Sequence, residues 1–151
     1  MVADPFGWIG HTLDDRYRAL TVAGEGGFGV VYRGHHLGLD VPVAIKCLKV
    51  PQSLGDAERD EFERRFTEEG RVLHRLSRAS AGVVQALDVG SAVSPRGILT
   101  PYLVLEWLEG QSLESEIRER ARRGERCWPV AEAVELLTPA ARALGGLTRS
   151  A

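Results

Sequence analysis

A glycine-rich string at residues 24–29, which reads GEGGFG, constrains the fold of this chain more than any other feature. Its G-x-G-x-x-G spacing occurs in phosphate-binding turns that open a helix and in turns that open a strand. Val30, Val31 and Tyr32 follow the string, and β-branched and aromatic residues of this kind favour a strand. We therefore interpret the string as the tip of a β-hairpin. A Rossmann turn, in which the glycines open a helix, is disfavoured.

The glycines of this tip indicate a chemistry as well as a turn. Without Cβ atoms at Gly24, Gly26 and Gly29, the backbone can lie close to a phosphate chain and offer its amides to it. Taken alone, the string is explained equally well as an ordinary glycine-rich turn. The two features that follow along the chain favour the phosphate-binding interpretation.

A lysine occupies the third predicted strand, in the sequence Val43-Ala44-Ile45-Lys46. Because side chains alternate along a strand, Ala44 and Lys46 lie on one face, and Val43 and Ile45 lie on the other. A small residue beside a lysine suits a flat base packed near an ammonium that holds phosphates. The alternative is a strand lysine that reaches solvent past apolar neighbours.

A glutamate interrupts the apolar stripe of the helix predicted at residues 57–76. The stripe consists of Phe62, Phe66, Leu73 and Leu76, and Glu69 fills its widest gap. A carboxylate on an apolar face needs a cationic partner, because burying it unpaired costs several kcal/mol. We expect Lys46 to be that partner. The alternatives are exposure of Glu69 to solvent or pairing within its own helix.

The remaining pattern predicts one α+β domain. Strands are predicted at residues 16–23, 28–35, 41–50, 83–90 and 101–107, and helices at 57–76, 112–123 and 129–144. Residues 1–15, with Pro5, Gly7 and Gly10, are predicted to be a loose leader. Pro139 is expected to kink or divide the last helix.

Composition argues against several classes of function. The formal net charge of −2 gives no reason to expect a general affinity for nucleic acid or for an anionic membrane. No apolar stretch reaches the roughly 18 residues that cross a bilayer. Cys47 and Cys127 stand apart, outside any metal-binding spacing, and two scattered cysteines suit a reducing cytosol. We expect a cytoplasmic protein with no metal site of its own.

Together these motifs resemble the eukaryotic-like serine/threonine protein kinases of bacteria. The glycine string is similar to their glycine-rich loop, residues 43–46 to their Val-Ala-Ile-Lys strand, and Glu69 to the glutamate of their C-helix. Residues 101–110, which read PYLVLEWLEG, resemble the last strand and hinge. After the leader at 1–15, the resemblance implies a kinase N-lobe and hinge at 16–108 and a partial C-lobe at 109–151. The N-lobe would contain a five-stranded antiparallel sheet and a C-helix, and two C-lobe helices would follow.

The resemblance implies ATP as the ligand. Gly24, Gly26 and Gly29 would cover the phosphates, and Lys46 would contact the α- and β-phosphates while pairing with Glu69. The resemblance also implies contacts to the nucleoside: Ala23, Val31 and Ala44 packing on adenine, Leu105 at the back of the pocket, the backbones of Glu106 and Leu108 at the adenine edge, and Ser112 at the ribose.

Residues that kinases use for phosphoryl transfer are absent from the 151 positions. Kinases need one aspartate to orient the substrate hydroxyl, and an aspartate with an asparagine to hold magnesium. Here the last aspartate is Asp88, before the hinge, and there is no asparagine. We expect a chain truncated before its catalytic loop, inactive alone and weak in ATP affinity. Magnesium binding and protein substrates would belong to the intact kinase.

Two functions are compatible with these features. The first is the ATP-binding portion of a serine/threonine protein kinase. The alternative is a non-catalytic, pseudokinase-like interaction module that docks to another kinase chain. Its docking surface would be the apolar residues of the last two helices, Leu113, Ile117, Val130, Val134, Leu137 and Leu144, which are expected to be partly exposed.

Overall fold

The computed structural model describes residues 3–51, 53–125 and 128–147. The chain divides into two compact units. The first comprises Met1–Ala79 and Val84–Trp107, and the second comprises Ser80–Val83 and Leu108–Ala151.

The first unit is built on an antiparallel sheet. Its strands are β1 (Thr12–Leu13), β2 (Tyr17–Gly26), β3 (Gly29–His36), β4 (Val41–Leu48), β5 (Ala86–Val93) and β6 (Leu99–Glu106). They form a 6-stranded sheet in the order β1-β2-β3-β4-β6-β5. The five predicted strands are confirmed, and the sheet gains the two-residue strand β1 from the segment predicted to be a leader.

The two faces of this sheet differ in burial, as the alternation of side chains predicts. On β4, Val43, Ile45 and Cys47 are fully buried, whereas Ala44 and Lys46 between them are only partly buried. We call the first side the core face and the second the open face. The core face also carries Val30, Tyr32, Tyr102 and Val104.

Residues 3–13 cover the core face, so the expectation of a loose leader at residues 1–15 is wrong for the described part. Phe6, Trp8 and Leu13 are buried and belong to the same hydrophobic cluster as the strands. Burying such side chains stabilises the fold by about 1.5–3 kcal/mol each. Turn-forming residues obscured this role, since the backbone is irregular and Gly7 and Gly10 have φ values of 75° and 84°.

Hydrogen bonds to Asp4 hold the start of this segment in place. Its carboxylate accepts hydrogen bonds from the backbone N–H groups of Gly7, Trp8 and Ile9, at 2.8, 3.2 and 2.9 Å. The hydroxyl of Tyr32 on β3 donates to the same carboxylate at 2.7 Å. Burial raises the pKa of Asp4, but these hydrogen bonds outweigh it and leave the pKa below its ordinary value.

The helix predicted at residues 57–76 is confirmed as α1 (Asp56–Ala79), and it packs against β5. Gly70 and Ser77 are its buried residues, and a Cβ at Gly70 would lie 2.9 Å from Val89. The Nδ1 atom of His74 lies 2.6 Å from the carbonyl oxygen of Ala86. The packed face therefore runs through positions 70, 74 and 77. This face is one residue, or about 100°, away from the predicted apolar stripe.

The second unit contains helices α2 (Leu113–Arg122) and α3 (Val130–Leu147). Ser112 caps α2, with its side chain accepting a hydrogen bond from the N–H of Ser115 at 3.1 Å. Pro139 lies inside α3 without dividing it. The apolar residues of the two helices that were predicted to be partly exposed are exposed: Leu113, Ile117, Val130, Val134, Leu137 and Leu144.

Candidate functional site

The glycine string forms the tip of the hairpin between β2 and β3. Strand β2 ends at Gly26, the turn is Gly27 and Phe28, and β3 begins at Gly29. The side chain of Phe28 is 85% exposed at the tip. An extended strand therefore follows the glycines, as predicted, and the helix that a Rossmann site requires is not formed there.

The glycines of the hairpin have different structural explanations. A Cβ at Gly29 would lie 2.1 Å from the carbonyl oxygen of Cys47, so the approach of β4 requires glycine at this position. A Cβ at Gly24 or Gly26 would meet no protein atom within 4 Å. Packing within the chain therefore does not explain glycine at positions 24 and 26. Close approach of a ligand to the backbone would explain it.

Strand register brings the hairpin, a branched side chain and the lysine together. Val31 pairs with Gly24 on one side and with Lys46 on the other. Paired residues point to the same face of a sheet, so Val31 and Lys46 are direct neighbours on the open face. Ala44 pairs with Leu105, which places these two residues one step along the same face. Ala23 is exposed at the irregular register between Val22 and Gly24.

The two lysines of the chain have different surroundings. Lys49 forms an ion pair with Glu25 of the glycine hairpin, with Nζ and Oε1 2.7 Å apart. Lys46 forms no ion pair with any residue that the structure describes. Lys49 and Glu25 are 24 positions apart, so local sequence patterns do not reveal this ion pair. Of the two ammonium groups, Lys46 is therefore the one that can bind an anion without first breaking an ion pair with a described residue.

Glu69 lies elsewhere than expected. Its side chain is exposed on α1, and no ion pair joins it to Lys46 in the part of the chain that the structure describes. The prediction that Glu69 is buried within the apolar stripe is therefore wrong. The cause is the rotation of the helix: Gly70 and Ser77 are small enough to let β5 approach, so they form the buried face. Phe62, Phe66, Leu73 and Leu76 are only partly buried.

The end of β6 is held by the side chain of Glu106, for which the sequence resemblance implied only a backbone role. The backbone N–H of Glu106 donates to the carbonyl oxygen of Gln85 at 3.0 Å, and the N–H of Gln85 donates to Oε1 of Glu106 at 2.8 Å. Leu105 and Glu106 are partly buried in the first unit. Leu108 and Ser112 belong to the second unit, where Leu108 is 61% exposed.

Several curated proteins with similar sequences are bacterial serine/threonine-protein kinases. A probable serine/threonine-protein kinase of Clostridium perfringens is 35% identical over 112 residues, which are 74% of this chain and 15% of that protein. The serine/threonine-protein kinase PknK of Mycobacterium tuberculosis is 39% identical over 105 residues, 70% of this chain and 8% of PknK. The chain is related to the bacterial serine/threonine-protein kinases.

The fold agrees with this kinase relationship. The crystal structure of a mutant form of the kinase domain of Mycobacterium tuberculosis PknI superposes with a TM-score of 0.67 at 23% identity. The match covers 96% of this chain and 51% of the PknI chain. The kinase-like α+β fold that the resemblance implied is confirmed. No family model matches the chain.

The kinase relatives are much longer than this chain, which spans 15% of the Clostridium protein. None of the described helices is long and apolar enough to span a bilayer. Among the described residues, no group of three or more histidine, cysteine, aspartate and glutamate side chains is placed to hold a metal ion. Burial, with a smaller effect of the Asp4 charge, raises the pKa of the Cys47 thiol to about 12.

Proposed function

We propose that this chain binds ATP on the open face of its sheet, as the nucleotide-binding segment of a serine/threonine protein kinase. The observation that carries the proposal is the pairing of Gly24 with Val31 and of Val31 with Lys46. It aligns a hairpin backbone, an apolar contact and an ammonium across three neighbouring strands. The relationship to bacterial kinases supports the same assignment.

The phosphates would lie under the glycine hairpin. Gly24, Gly26 and Gly29 would offer backbone amides there, and Lys46 would supply the charge that attracts the α- and β-phosphates. Phosphate binding at Lys46 would break no ion pair with a described residue. The role of Glu69 stays a prediction from the resemblance, because this structure does not pair it with Lys46.

The base would pack on the apolar part of the open face. Val31 and Ala44 provide partly buried apolar surface, and Ala23 lies on the neighbouring strand. Leu105 pairs with Ala44 and would limit the depth of the pocket. For the backbones of Glu106 and Leu108 at the adenine edge, and for Ser112 at the ribose, the support is the kinase resemblance alone.

The proposed role of this segment is binding without phosphoryl transfer. Transfer requires an aspartate near the substrate hydroxyl, and an aspartate with an asparagine that bind magnesium. The 151 residues have no asparagine, and no aspartate follows Asp88. Magnesium and a protein substrate would therefore be engaged by the complete kinase.

A titration of magnesium-ATP tests the proposal. We expect saturable binding with a Kd below about 1 mM, equivalent to about −4 kcal/mol. Lys46→Met should weaken it at least about tenfold, because a charge-assisted contact to phosphate is lost. Lys49→Met is the matched control, since it removes the other lysine, whose ammonium already pairs with Glu25. Equal losses in both variants, or no binding by the unmodified chain, would contradict the proposal.

The exposed apolar residues of α2 and α3 favour a second candidate, an interaction module that docks to another kinase chain. Val130 and Leu144 are 80% and 65% exposed. Such patches mark interaction surfaces. This candidate predicts no ATP binding at millimolar concentration, together with a complex that a double Val130→Glu, Leu144→Glu variant fails to form.

A further inference from the structure

An arginine on the open face contacts the aromatic residue that follows β6. The guanidinium carbon of Arg33 lies 5.3 Å from the ring centroid of Trp107, within the range of a cation–π contact. Arg33 is exposed on β3, between the buried residues Tyr32 and Gly34. It therefore points to the open face, the face that also carries Val31 and Lys46.

The contact joins parts of the sheet that are not adjacent. Strand β4 lies between β3 and β6 in the sheet, so Arg33 reaches past β4 to the end of β6. Arg33 pairs with Ala44, and Ala44 pairs with Leu105, two residues before Trp107. Arg33 therefore lies in the same row as the proposed adenine contacts, and two residues along the strands from the pair of Val31 and Lys46.

Glu106 and Trp107, at the end of β6, are both attached to residues elsewhere in the first unit. Glu106 is bonded to Gln85 through both its backbone N–H and its side chain. Trp107, the next residue, is held by Arg33. Backbone groups recognise a base edge only when the direction of the chain is fixed, because amides have no side-chain freedom with which to adjust.

We infer that Arg33 is a positioning residue for adenine recognition, acting through Trp107 on the backbone at the end of β6. The inference rests on the proposed ATP binding. A different role is available to any exposed arginine, namely general attraction of the phosphates. The two roles can be distinguished by the choice of ligand. Loss of a positioning residue lowers the affinity only for ligands that contain a base, whereas loss of general attraction lowers the affinity for every polyanion.

The test compares ATP with inorganic tripolyphosphate in calorimetric titrations of the unmodified chain and its variants. Arg33→Ala should weaken ATP about 2- to 5-fold, the range expected for a cation–π contact at an exposed site. The affinity for tripolyphosphate should stay unchanged. Trp107→Leu should cause a similar loss, and the double variant should lose no more than either single variant. Arg33→Lys should restore part of the ATP affinity.

Arg18→Ala is the matched control, because Arg18 is an exposed arginine of β2 whose loss changes the net charge equally. It should leave ATP binding unchanged, and a urea denaturation of each variant should show that it folds. Unchanged ATP affinity in Arg33→Ala, or equal losses for ATP and tripolyphosphate, would overturn this inference while leaving the proposed function intact. Absence of ATP binding by the unmodified chain would instead overturn the proposed function, and the inference with it.

Discussion

The core face and the open face belong to the same strands but are completed in different ways. On the core face, Phe6 and Trp8 from the start of the chain seal the surface, and the hydroxyls of Tyr32 and Tyr102 donate to Asp4 and Asp14. On the open face, Val31, Ala44 and Lys46 stay partly accessible. The core face is thus covered by residues of the same chain and contributes to stability. The open face keeps a lysine and small apolar side chains accessible, which suits the binding of a ligand.

The largest effect should come from opening the core face. Trp8→Ala should lower the free energy of unfolding by about 3–5 kcal/mol, because a buried aromatic side chain is lost and a cavity is left. Ile9→Ala is the control, since Ile9 is 44% exposed one residue along the same segment. Its cost should be about 0.5 kcal/mol. Similar midpoints for both variants in urea would show that residues 3–13 are not part of the core.

A smaller effect separates the glycines of the hairpin. Gly29→Ala should destabilise the fold by about 1–3 kcal/mol, because its Cβ would meet the backbone of β4. Gly24→Ala should leave the unfolding free energy within about 0.5 kcal/mol of the unmodified chain and still weaken ATP binding. Urea denaturation and ATP titration of both variants check this. A Gly24→Ala variant that loses stability without losing ATP affinity would contradict the assignment of Gly24 to the ligand.

The weakest of these effects depends on pH. The folded-state pKa of Asp4 is lower than its unfolded value of 3.8, so its contribution is fully present above about pH 4 and is lost as the pH falls through the folded pKa. Asp4→Asn should cost about 1 kcal/mol near pH 7, because charge-assisted hydrogen bonds are weakened. The difference in the free energy of unfolding between the unmodified chain and the Asp4→Asn variant should become smaller below pH 4. A difference that is constant from pH 7 to pH 3 would show that the charge of Asp4 is not involved.

Local patterns predicted the sheet well. Alternation on β4 assigned Val43 and Ile45 to one face and Ala44 and Lys46 to the other, and the residues after Gly29 predicted a strand. Both features depend on neighbours in sequence and on the geometry of an extended chain. The strands predicted at residues 28–35 and 41–50 also put Val31 and Lys46 on consecutive strands, although the prediction did not give their register.

Features that depend on distant contacts were missed or misplaced. The helix stripe predicted a buried Glu69, but the choice of buried face depends on how closely β5 can approach Gly70, which the helix sequence alone does not show. Residues 3–13 carry the turn-forming residues of a loop, and only the strands reveal where Phe6 and Trp8 pack. The contact between Arg33 and Trp107 likewise joins residues far apart in the chain.

The most direct test of ATP binding on the open face is protection of lysines from chemical modification. The chain has two lysines, so an amine-reactive acetylating reagent and peptide mass spectrometry can follow each one in the same sample. Magnesium-ATP should slow the modification of Lys46 several-fold and leave Lys49, the internal reference, nearly unchanged. Equal modification rates at Lys46 with and without saturating ATP would contradict the claim that this face holds the nucleotide.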